Sequence, residues 1–143
     1  MDSYREKVLL TGASGFVGGA VLRDLERRGT FDLRVATRDL STFSGSAFEA
    51  VSFSGLDAKQ DWTQALEGVD LVVHSAARVH VMKEQVADSM TEFRKVNVDG
   101  TLKLASQAAT AGVKRFIFIS SIKVNGEGTH FGAPYTAESA TLP

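Results

Sequence analysis

The chain of 143 residues contains no cysteine, which excludes disulfide bonds, thiolate metal sites and a cysteine nucleophile. We predict no metal site, and the lack of cysteine fits a cytosolic protein. Proline occurs only at Pro134 and Pro143, both near the end of the sequence. No apolar run approaches the roughly 18 residues of a membrane span. The polar start, M-D-S-Y-R-E-K, contains no signal-peptide core. We therefore expect a cytoplasmic protein.

The sequence also lacks an excess of charge of one sign. Its net charge is −1, which gives no sign of a basic face, and we expect neither nucleic acid nor an anionic membrane as a partner. A hydrophobic content of 43% and a charged content of 23% are those of an ordinary globular protein. The length fits one domain with a proper core.

A glycine-rich stretch near the N-terminus, Lys7 to Gly19, dominates the rest of the pattern. Three apolar residues, V-L-L, are followed by a turn that carries Gly12, Gly15 and Gly18, and a helical pattern begins at once. Strand, glycine turn and helix form the context of a dinucleotide-binding site. In that role the glycines would allow a tight turn, close approach of a pyrophosphate and close packing of the helix. The alternative is an ordinary strand-to-helix turn.

Further strands and helices alternate along the chain. Apolar residues at helical spacing follow Phe16, and Gly29 is a plausible helix end. The remaining pattern predicts strands over Leu33–Thr37, Glu49–Phe53, Leu71–Val73 and Phe116–Ile119, and helices over Asp61–Leu66 and Met90–Ala111. In the short helix, Trp62 and Leu66 are spaced to pack together. Alternation of this kind is typical of a parallel sheet covered on both faces.

The end of the second predicted strand bears on the choice of cofactor. An acidic residue there would bind a ribose 2′-hydroxyl, whereas an arginine would suit a 2′-phosphate. Thr37 takes the place of the acid and Arg38 follows, which favours NADP over NAD. The alternative is that Arg38 is a solvated turn charge and that Asp39 is the ribose acid, one residue late.

Small residues follow the fourth predicted strand, where ligands bind in open α/β sheets. Ser75, Ala76 and Ala77 would leave room for a ligand to lie against the backbone; the alternative is that they merely start a turn. We expect His74 to be a hydrogen-bonded structural histidine and not a base. Residues 78–88 could be a loop over the cofactor or the top of the next helix, and His80 has no evident carboxylate partner there.

The longest predicted helix carries a polar residue on its apolar face. Met90, Phe93, Gly100, Leu104 and Ala108 share that face with Asn97. An unsatisfied buried amide costs on the order of 1–3 kcal/mol, so Asn97 needs partners. Gly100 in a helix interior suggests close packing on the sheet, because it costs about 1 kcal/mol relative to alanine.

Several of these stretches together resemble the extended short-chain dehydrogenase/reductase superfamily. The resemblance covers Lys7 to about Gly126 and rests on four motifs in order: T-G-A-S-G-F-V-G, V-V-H-x-A-A, N-V-x-G-T and S-S-x-x-V-x-G. Within the superfamily it points to NAD(P)-dependent sugar-nucleotide epimerases, dehydratases and reductases, with UDP-glucose 4-epimerase-like enzymes as the nearest subfamily. It implies a Rossmann-like, doubly wound parallel sheet of the α/β class.

The resemblance also implies roles for individual residues. Ser121 would hydrogen-bond the reacting oxygen of the substrate, and Asn97 in N-V-x-G-T would order the active site and its proton path. An Asp after the third strand would bind adenine, which Asp57 could do from a displaced position; a surface loop carboxylate is the alternative. The cofactor contacts expected in total are Gly12, Ser14, Gly15, Phe16, Val17, Gly18, Thr37, Arg38, Leu56, Asp57, Ser75, Ala76, Ala77, Asn97 and Ser120.

One family motif is missing from the sequence. The family's general acid/base is the Tyr of Tyr-x-x-x-Lys, yet the only tyrosines here are Tyr4 and Tyr135, and neither has a Lys four residues later. We therefore expect residues 1–143 to be an incomplete NAD(P)-binding domain, truncated before the last strands and the substrate-binding region, and inactive alone. A Tyr-x-x-x-Lys in a longer parent would support an enzyme, and its absence would support a non-catalytic NADP(H)-binding sensor or interaction module.

The residue at position 122 argues against one class of enzyme in the family, the dehydratases. Dehydratases of the family keep an acid where this chain has Ile122, which leaves a UDP-sugar 4-epimerase or a 4-keto reductase. The partner implied is a nucleotide sugar. The resemblance also implies a homodimer formed through two helices, one of which would be the Met90–Ala111 helix. A plain structural domain is disfavoured, because Ser121 and Asn97 are polar where packing would prefer apolar residues.

Overall fold

The computed structural model describes residues 4–78 and 89–142 of the chain and contains one parallel sheet of five strands in the order β3-β2-β1-β4-β5. The strands are β1 (Lys7–Thr11), β2 (Asp32–Thr37), β3 (Glu49–Ser52), β4 (Leu71–His74) and β5 (Arg115–Phe118). The helices are α1 (Phe16–Arg28), α2 (Thr63–Leu66), α3 (Ser89–Arg94) and α4 (Thr101–Thr110), with a π-helical turn over Lys95–Gly100 and 3₁₀ turns over Leu40–Phe43 and Ile122–Asn125.

The strand order places a topological switch beside β1. The chain runs outward from β1 through β2 to β3, then returns to form β4 on the other side of β1. Thr11 pairs with Ala36 on one side and with His74 on the other, so three strands end together there. Ligands of open α/β sheets bind at such a switch, beyond the carboxyl ends of the strands. The predicted Rossmann-like α/β fold is confirmed.

Apolar residues pack on both faces of the sheet. On one face, Trp62, Leu66 and Leu104 of the α2 and α4 region cover Leu9 and Val72. On the other face, α1 covers the sheet, and the buried residues there are Val8, Leu10, Ala13, Leu22, Leu33, Val35, Leu71 and Val73. α1 ends where predicted, at Gly29, whose φ of 62° is the left-handed conformation that glycine adopts easily.

The fifth strand is less buried than its sequence predicted. The strand ends at Phe118, one residue earlier than expected, and Ile117, Phe118 and Ile119 are 44%, 51% and 38% exposed. β5 is an edge strand with one neighbour, and the cluster around α1 reaches β4 but includes no residue of β5. An apolar run therefore indicated a strand correctly but not its burial on both faces.

The stretch predicted as one helix over Met90–Ala111 consists of α3, the π-helical turn and α4, and two of its residues are not placed as predicted. Met90 is 69% exposed and does not belong to the buried face. Gly100 does not approach a strand: a Cβ placed there would lie 2.8 Å from the carbonyl carbon of Leu56, in the loop after β3. That loop, and not the sheet, explains why only a glycine fits at this position.

The amino ends of the strands are joined by a buried carboxylate, Asp70. It accepts hydrogen bonds from the Tyr4 hydroxyl at 2.6 Å and from the backbone N–H of Lys7 at 2.9 Å, and the Lys114 ammonium lies 2.8 Å away. The Lys114 ammonium first, then the Tyr4 hydroxyl and the Lys7 N–H, hold the pKa of Asp70 well below its usual range. Asp70 thereby links β1, β4 and the start of β5.

A second buried charge, Arg34 of β2, is also paired. Its guanidinium donates to Glu49 of β3 at 2.7 Å and to the carbonyl oxygens of Ala65 and Glu67 at 2.9 and 2.8 Å. Those carbonyls lie at the end of α2, where a cation is favoured by the exposed backbone oxygens.

No helix within residues 4–78 and 89–142 is long and apolar enough to cross a membrane.

Candidate cofactor cleft

The glycine turn between β1 and α1 is tightly packed beneath and open above. Gly12 has a φ of +77°, and a Cβ there would lie 2.6 Å from the Ala76 backbone nitrogen. A Cβ on Gly18 would overlap the Gly12 carbonyl oxygen, while the space around Gly15 is limited only by that oxygen at 3.3 Å. Gly15 is exposed and precedes the first turn of α1, which contains no acidic residue. The turn therefore leaves backbone uncovered at the start of a 13-residue helix, which is a geometry that suits an anionic group.

A cleft of about 680 Å³ lies over this turn and over the carboxyl ends of the strands. Most of the predicted cofactor contacts line it: Gly12, Ser14, Gly15, Thr37, Arg38, Leu56, Asp57, Ser75, Ala76 and Ala77. Residues far apart in the sequence therefore meet in one cavity of the size of a cofactor site.

Five predicted contacts do not line this cleft. Gly18 is buried under the turn, and Phe16 and Val17 expose 95% and 49% of their surface at the start of α1. Ser120 is exposed after β5, and the side chain of Asn97 is turned to the backbone of Arg78.

Other lining residues were not singled out from the sequence: Ala36, Asp39 (weighed only as the alternative), Thr42, Phe53, Ser54, Gly55, Arg78, Glu92, Lys95 and Val96. Glu92, Lys95 and Val96 are three and four residues apart, so one helical face carries all three. That spacing was readable, but nothing in the sequence shows which face of this helix meets the cleft.

The end of β2 brings a cation and a carboxylate to the cleft. The Thr37 hydroxyl donates to the Asp39 carbonyl at 3.0 Å and accepts the Asp39 N–H at 3.2 Å, which fixes the turn around Arg38. The Asp39 carboxylate accepts from the Ser41 N–H at 2.9 Å and from the Ser41 hydroxyl at 2.7 Å, and these bonds lower the pKa of Asp39. Arg38 is exposed and has no hydrogen-bond or ion-pair partner among the described residues.

Asp57 lines the cleft in the loop after β3. Its Oδ1 accepts from the backbone N–H groups of Lys59 and Gln60 at 2.8 and 3.1 Å. These bonds form a local turn that fixes the carboxylate next to Leu56, where Gly100 approaches.

The ends of β1 and β4 are held together by side chains. The Ser75 hydroxyl donates to the Thr11 carbonyl at 2.7 Å, and the Thr11 hydroxyl accepts the Ala76 N–H at 3.3 Å. His74 is fully buried, with Nδ1 2.7 Å from the Thr11 hydroxyl and Nε2 3.0 Å from the Thr101 hydroxyl. Burial lowers the pKa of His74 from 6.5 to about 4, so the ring is neutral at pH 7. The predicted hydrogen bonds of His74 are present, and its structural role stays a prediction.

Asn97 lies within the π-helical turn and has both of its amide atoms paired. Its Oδ1 accepts the Arg78 N–H at 2.8 Å and its Nδ2 donates to the Arg78 carbonyl at 2.9 Å. The side chain of Arg78 lies 5.8 Å over the Phe93 ring. Asn97 thus fixes the backbone that follows Ala76 and Ala77. His80 lies outside the described residues.

Ser121 follows β5 and is exposed. Its hydroxyl accepts the Lys123 N–H at 3.2 Å at the start of the 3₁₀ turn, and it does not line the cleft. Tyr135 donates its hydroxyl to the Gly128 carbonyl at 2.8 Å, within the segment after that turn. The described residues therefore contain the cleft lined by most of the predicted cofactor contacts, and they contain the predicted serine. They contain no tyrosine with a lysine four residues later.

The sequence model of the NAD dependent epimerase/dehydratase family matches residues 8–143. A UDP-glucose 4-epimerase of Vibrio cholerae is 42% identical over 139 residues, which cover 96% of this chain and 42% of that protein.

Solved structures are also similar in fold, among them the following two. A short-chain dehydrogenase/reductase superfamily protein from Agrobacterium tumefaciens, with bound NAD, is 31% identical at a TM-score of 0.76, over 96% of this chain and 39% of that one. A UDP-glucose-4-epimerase from Stenotrophomonas maltophila was solved with bound NAD and formylated UDP-arabinopyranose. It has a TM-score of 0.77 at 24% identity, over 96% of this chain and 43% of that one. The chain spans about two-fifths of the length of the proteins it matches. It belongs to the NAD dependent epimerase/dehydratase family.

Proposed function

We propose that this chain is the cofactor-binding part of an NADP-dependent oxidoreductase that acts on a UDP-sugar, either as a 4-epimerase or as a 4-keto reductase. The observation that carries the proposal is the glycine turn, which opens into a cleft together with the ends of β2 and β4. A bound nicotinamide cofactor would supply the acceptor or donor of the hydride exchanged with the sugar carbon. The 42% sequence identity to a UDP-glucose 4-epimerase supports a UDP-sugar as the class of substrate.

The residues present fit a dinucleotide. The uncovered backbone at Gly15 and the start of α1 would bind the pyrophosphate, and Ala76 and Ala77 offer a wall without bulky side chains. Leu56 and Asp57 would lie against the adenine. Asn97 would keep the Arg78 backbone in place, and Ser121 would orient the reacting oxygen once substrate is bound.

Arg38 is the basis for proposing NADP and not NAD. It lines the cleft next to Thr42 and has no partner among residues 4–78 and 89–142, whereas the Asp39 carboxylate is already engaged by Ser41. A guanidinium without a partner can bind a 2′-phosphate through two parallel hydrogen bonds.

The first experiment is a titration of the purified chain with NADPH and, separately, NADH, followed by the fluorescence of the reduced nicotinamide. We expect tighter binding of NADPH. Substitution Arg38→Ala should weaken NADPH binding by roughly 10- to 100-fold and leave NADH unchanged, because a hydrogen bond to a charged group contributes about 1.5–3 kcal/mol. Arg5→Ala is the matched control, since Arg5 is exposed and does not line the cleft.

Three outcomes would change the proposal. Equal affinity for both cofactors, or indifference to Arg38→Ala, would return Arg38 to the solvated surface and favour an NAD-dependent epimerase. Turnover of a UDP-sugar by residues 1–143 would contradict the proposal that this chain is inactive alone. Dinucleotide binding by a longer parent that lacks Tyr-x-x-x-Lys would favour the sensor.

A further inference from the structure

A chain of hydrogen bonds, buried at its centre, links a residue that lines the cleft to the start of α4. It runs from the Ala76 backbone N–H through the Thr11 hydroxyl and the His74 imidazole to the Thr101 hydroxyl, over distances of 3.3, 2.7 and 3.0 Å. Thr11 and His74 are both fully buried. Thr11 is the last residue of β1 before the glycine turn, and Thr101 is the first residue of α4.

The direction of these hydrogen bonds follows from the groups that are present. The Thr11 oxygen accepts the Ala76 N–H, and its own hydroxyl proton is shielded from water, so it needs an acceptor. His74 Nδ1 is the acceptor within reach, at 2.7 Å. A neutral imidazole carries one N–H, which must then be on Nε2 and donate to Thr101.

The surroundings of the ring favour this neutral form. The rings of Phe116 and Phe118 lie 6.1 and 5.9 Å from the imidazole centre. No carboxylate is hydrogen-bonded to the ring within residues 4–78 and 89–142. A ring in this setting can hold its two hydrogen-bond partners in place, but it has no group with which to exchange a proton at neutral pH.

We propose that His74 is a positioning residue of the cofactor cleft: as the Nε2–H tautomer it accepts the Thr11 hydroxyl, which in turn holds the Ala76 backbone N–H on the cleft wall. The part that concerns cofactor binding rests on the proposed function. The two threonines have unequal roles, because Thr11 touches a lining residue whereas Thr101 only anchors the far side of the ring.

The direction of the bonds can be tested without any cofactor. The chain contains three histidines, so long-range ¹H–¹⁵N spectra of the labelled protein show three imidazoles, assigned with His80→Gln and His130→Gln. We expect His74 to show an unprotonated Nδ1 and a protonated Nε2 at pH 7. The opposite tautomer would overturn the proposal.

The positioning role is tested with two variants that remove a hydroxyl without changing shape. Thr11→Val should weaken NADPH binding roughly three- to tenfold, the loss expected for one hydrogen bond. Thr101→Val should change it less than twofold. Urea denaturation midpoints of both variants measure their stability. If the loss of NADPH affinity in the two variants is proportional to their loss of stability, the proposal is wrong.

A conservative replacement of the histidine gives an independent readout. His74→Asn keeps an oxygen acceptor near the position of Nδ1, and His74→Leu keeps none, so Asn should retain more NADPH affinity than Leu. Equal affinity of the wild type and Thr11→Val would overturn this inference alone. Failure of the wild type to bind either dinucleotide would overturn the proposed function and the positioning role with it.

Discussion

The two ends of the sheet are built in opposite ways. At the amino ends of the strands, several charged groups are paired: Asp70 is bound by three donors, Lys7 lies 3.2 Å from Asp32, and Arg115 lies 3.2 Å from Glu6. At the carboxyl ends, Arg38 and Lys95 line the cleft with no ion-pair partner among the described residues. The same strands thus carry stabilising contacts at one end and polar groups available to a ligand at the other.

The largest expected effect comes from filling the space beneath the glycine turn. A methyl group at Gly18 would overlap the Gly12 carbonyl and lie 2.6 Å from the Ser75 hydroxyl, so Gly18→Ala must displace the turn. We expect NADPH affinity to fall by about 100-fold or more, with a loss of roughly 1–3 kcal/mol in the free energy of unfolding. Fluorescence titration and urea denaturation measure the two effects.

Gly128→Ala is the matched control, because a Cβ at Gly128 meets nothing within 4 Å. Wild-type NADPH affinity in Gly18→Ala would mean that the turn does not shape the binding site. It would contradict the view that the carboxyl ends of the strands bind the cofactor.

Acid should destabilise the two ends in different pH ranges. His74 has a folded pKa of about 4 against 6.5 for the free group, so between these values only the unfolded chain binds the proton. Stability should therefore fall by on the order of 2–3 kcal/mol as the pH drops from about 6.5 to 4. Urea denaturation across this range measures the loss, which should shrink in His74→Gln. An unchanged slope in that variant would assign the loss to other groups.

The amino end should lose its contribution only at lower pH. The pKa of Asp70 is depressed, so the stability it provides is present above the ordinary carboxyl value of 3.8 and is lost as the pH falls below it. Asp70→Asn should lower the urea midpoint at pH 7, because the Lys114 ammonium and the Tyr4 hydroxyl lose their anionic partner.

The same variant should leave the cleft intact. NADPH affinity of Asp70→Asn is expected within about twofold of the wild type, since Asp70 lies at the opposite end of the sheet. Lys114→Met, which removes a 58% exposed partner of Asp70, should shift the midpoint in the same direction by less. A large loss of affinity in Asp70→Asn would show that the two ends are not separable.

The smallest effect on cofactor affinity is expected from Lys95, the exposed cation of the π-helical turn. Lys95→Ala should weaken both NADPH and NADH about two- to threefold, because a solvated charge near an anionic ligand is largely screened. Lys103→Ala is the control on the same helical stretch, since Lys103 acts on Asp61 and not on the cleft. A loss specific to NADPH would place the 2′-phosphate near Lys95 as well as near Arg38.

Much of the fold was readable because local and long-range signals agree in this sequence. The V-L-L run and Gly12 specify a strand and its turn by their own chemistry, and Gly29 ends α1 as predicted. The end of β4 was readable too, because small residues after a buried strand indicate a ligand edge, and Ser75, Ala76 and Ala77 do line the cleft.

What could not be read depends on contacts that no local pattern encodes. Glu92 and Lys95 line the cleft because of how their helix packs, and Gly100 is explained by a loop more than 40 residues earlier. The exposure of Ile117 follows from the edge position of β5, which only the strand order reveals. Each of these is a property of the assembled sheet.

The pairing of β1 with β4 has a consequence for how the binding site forms. Thr11 and His74 are 63 residues apart in the chain, yet the floor of the cleft requires their contact. The β1–α1–β2 unit could assemble from neighbouring residues, but a second wall exists only after a long loop has closed, which is an entropically costly step. A refolding experiment followed by cofactor fluorescence would therefore report the arrival of β4 at the sheet, and a dinucleotide present during folding would select chains in which that late pairing is complete.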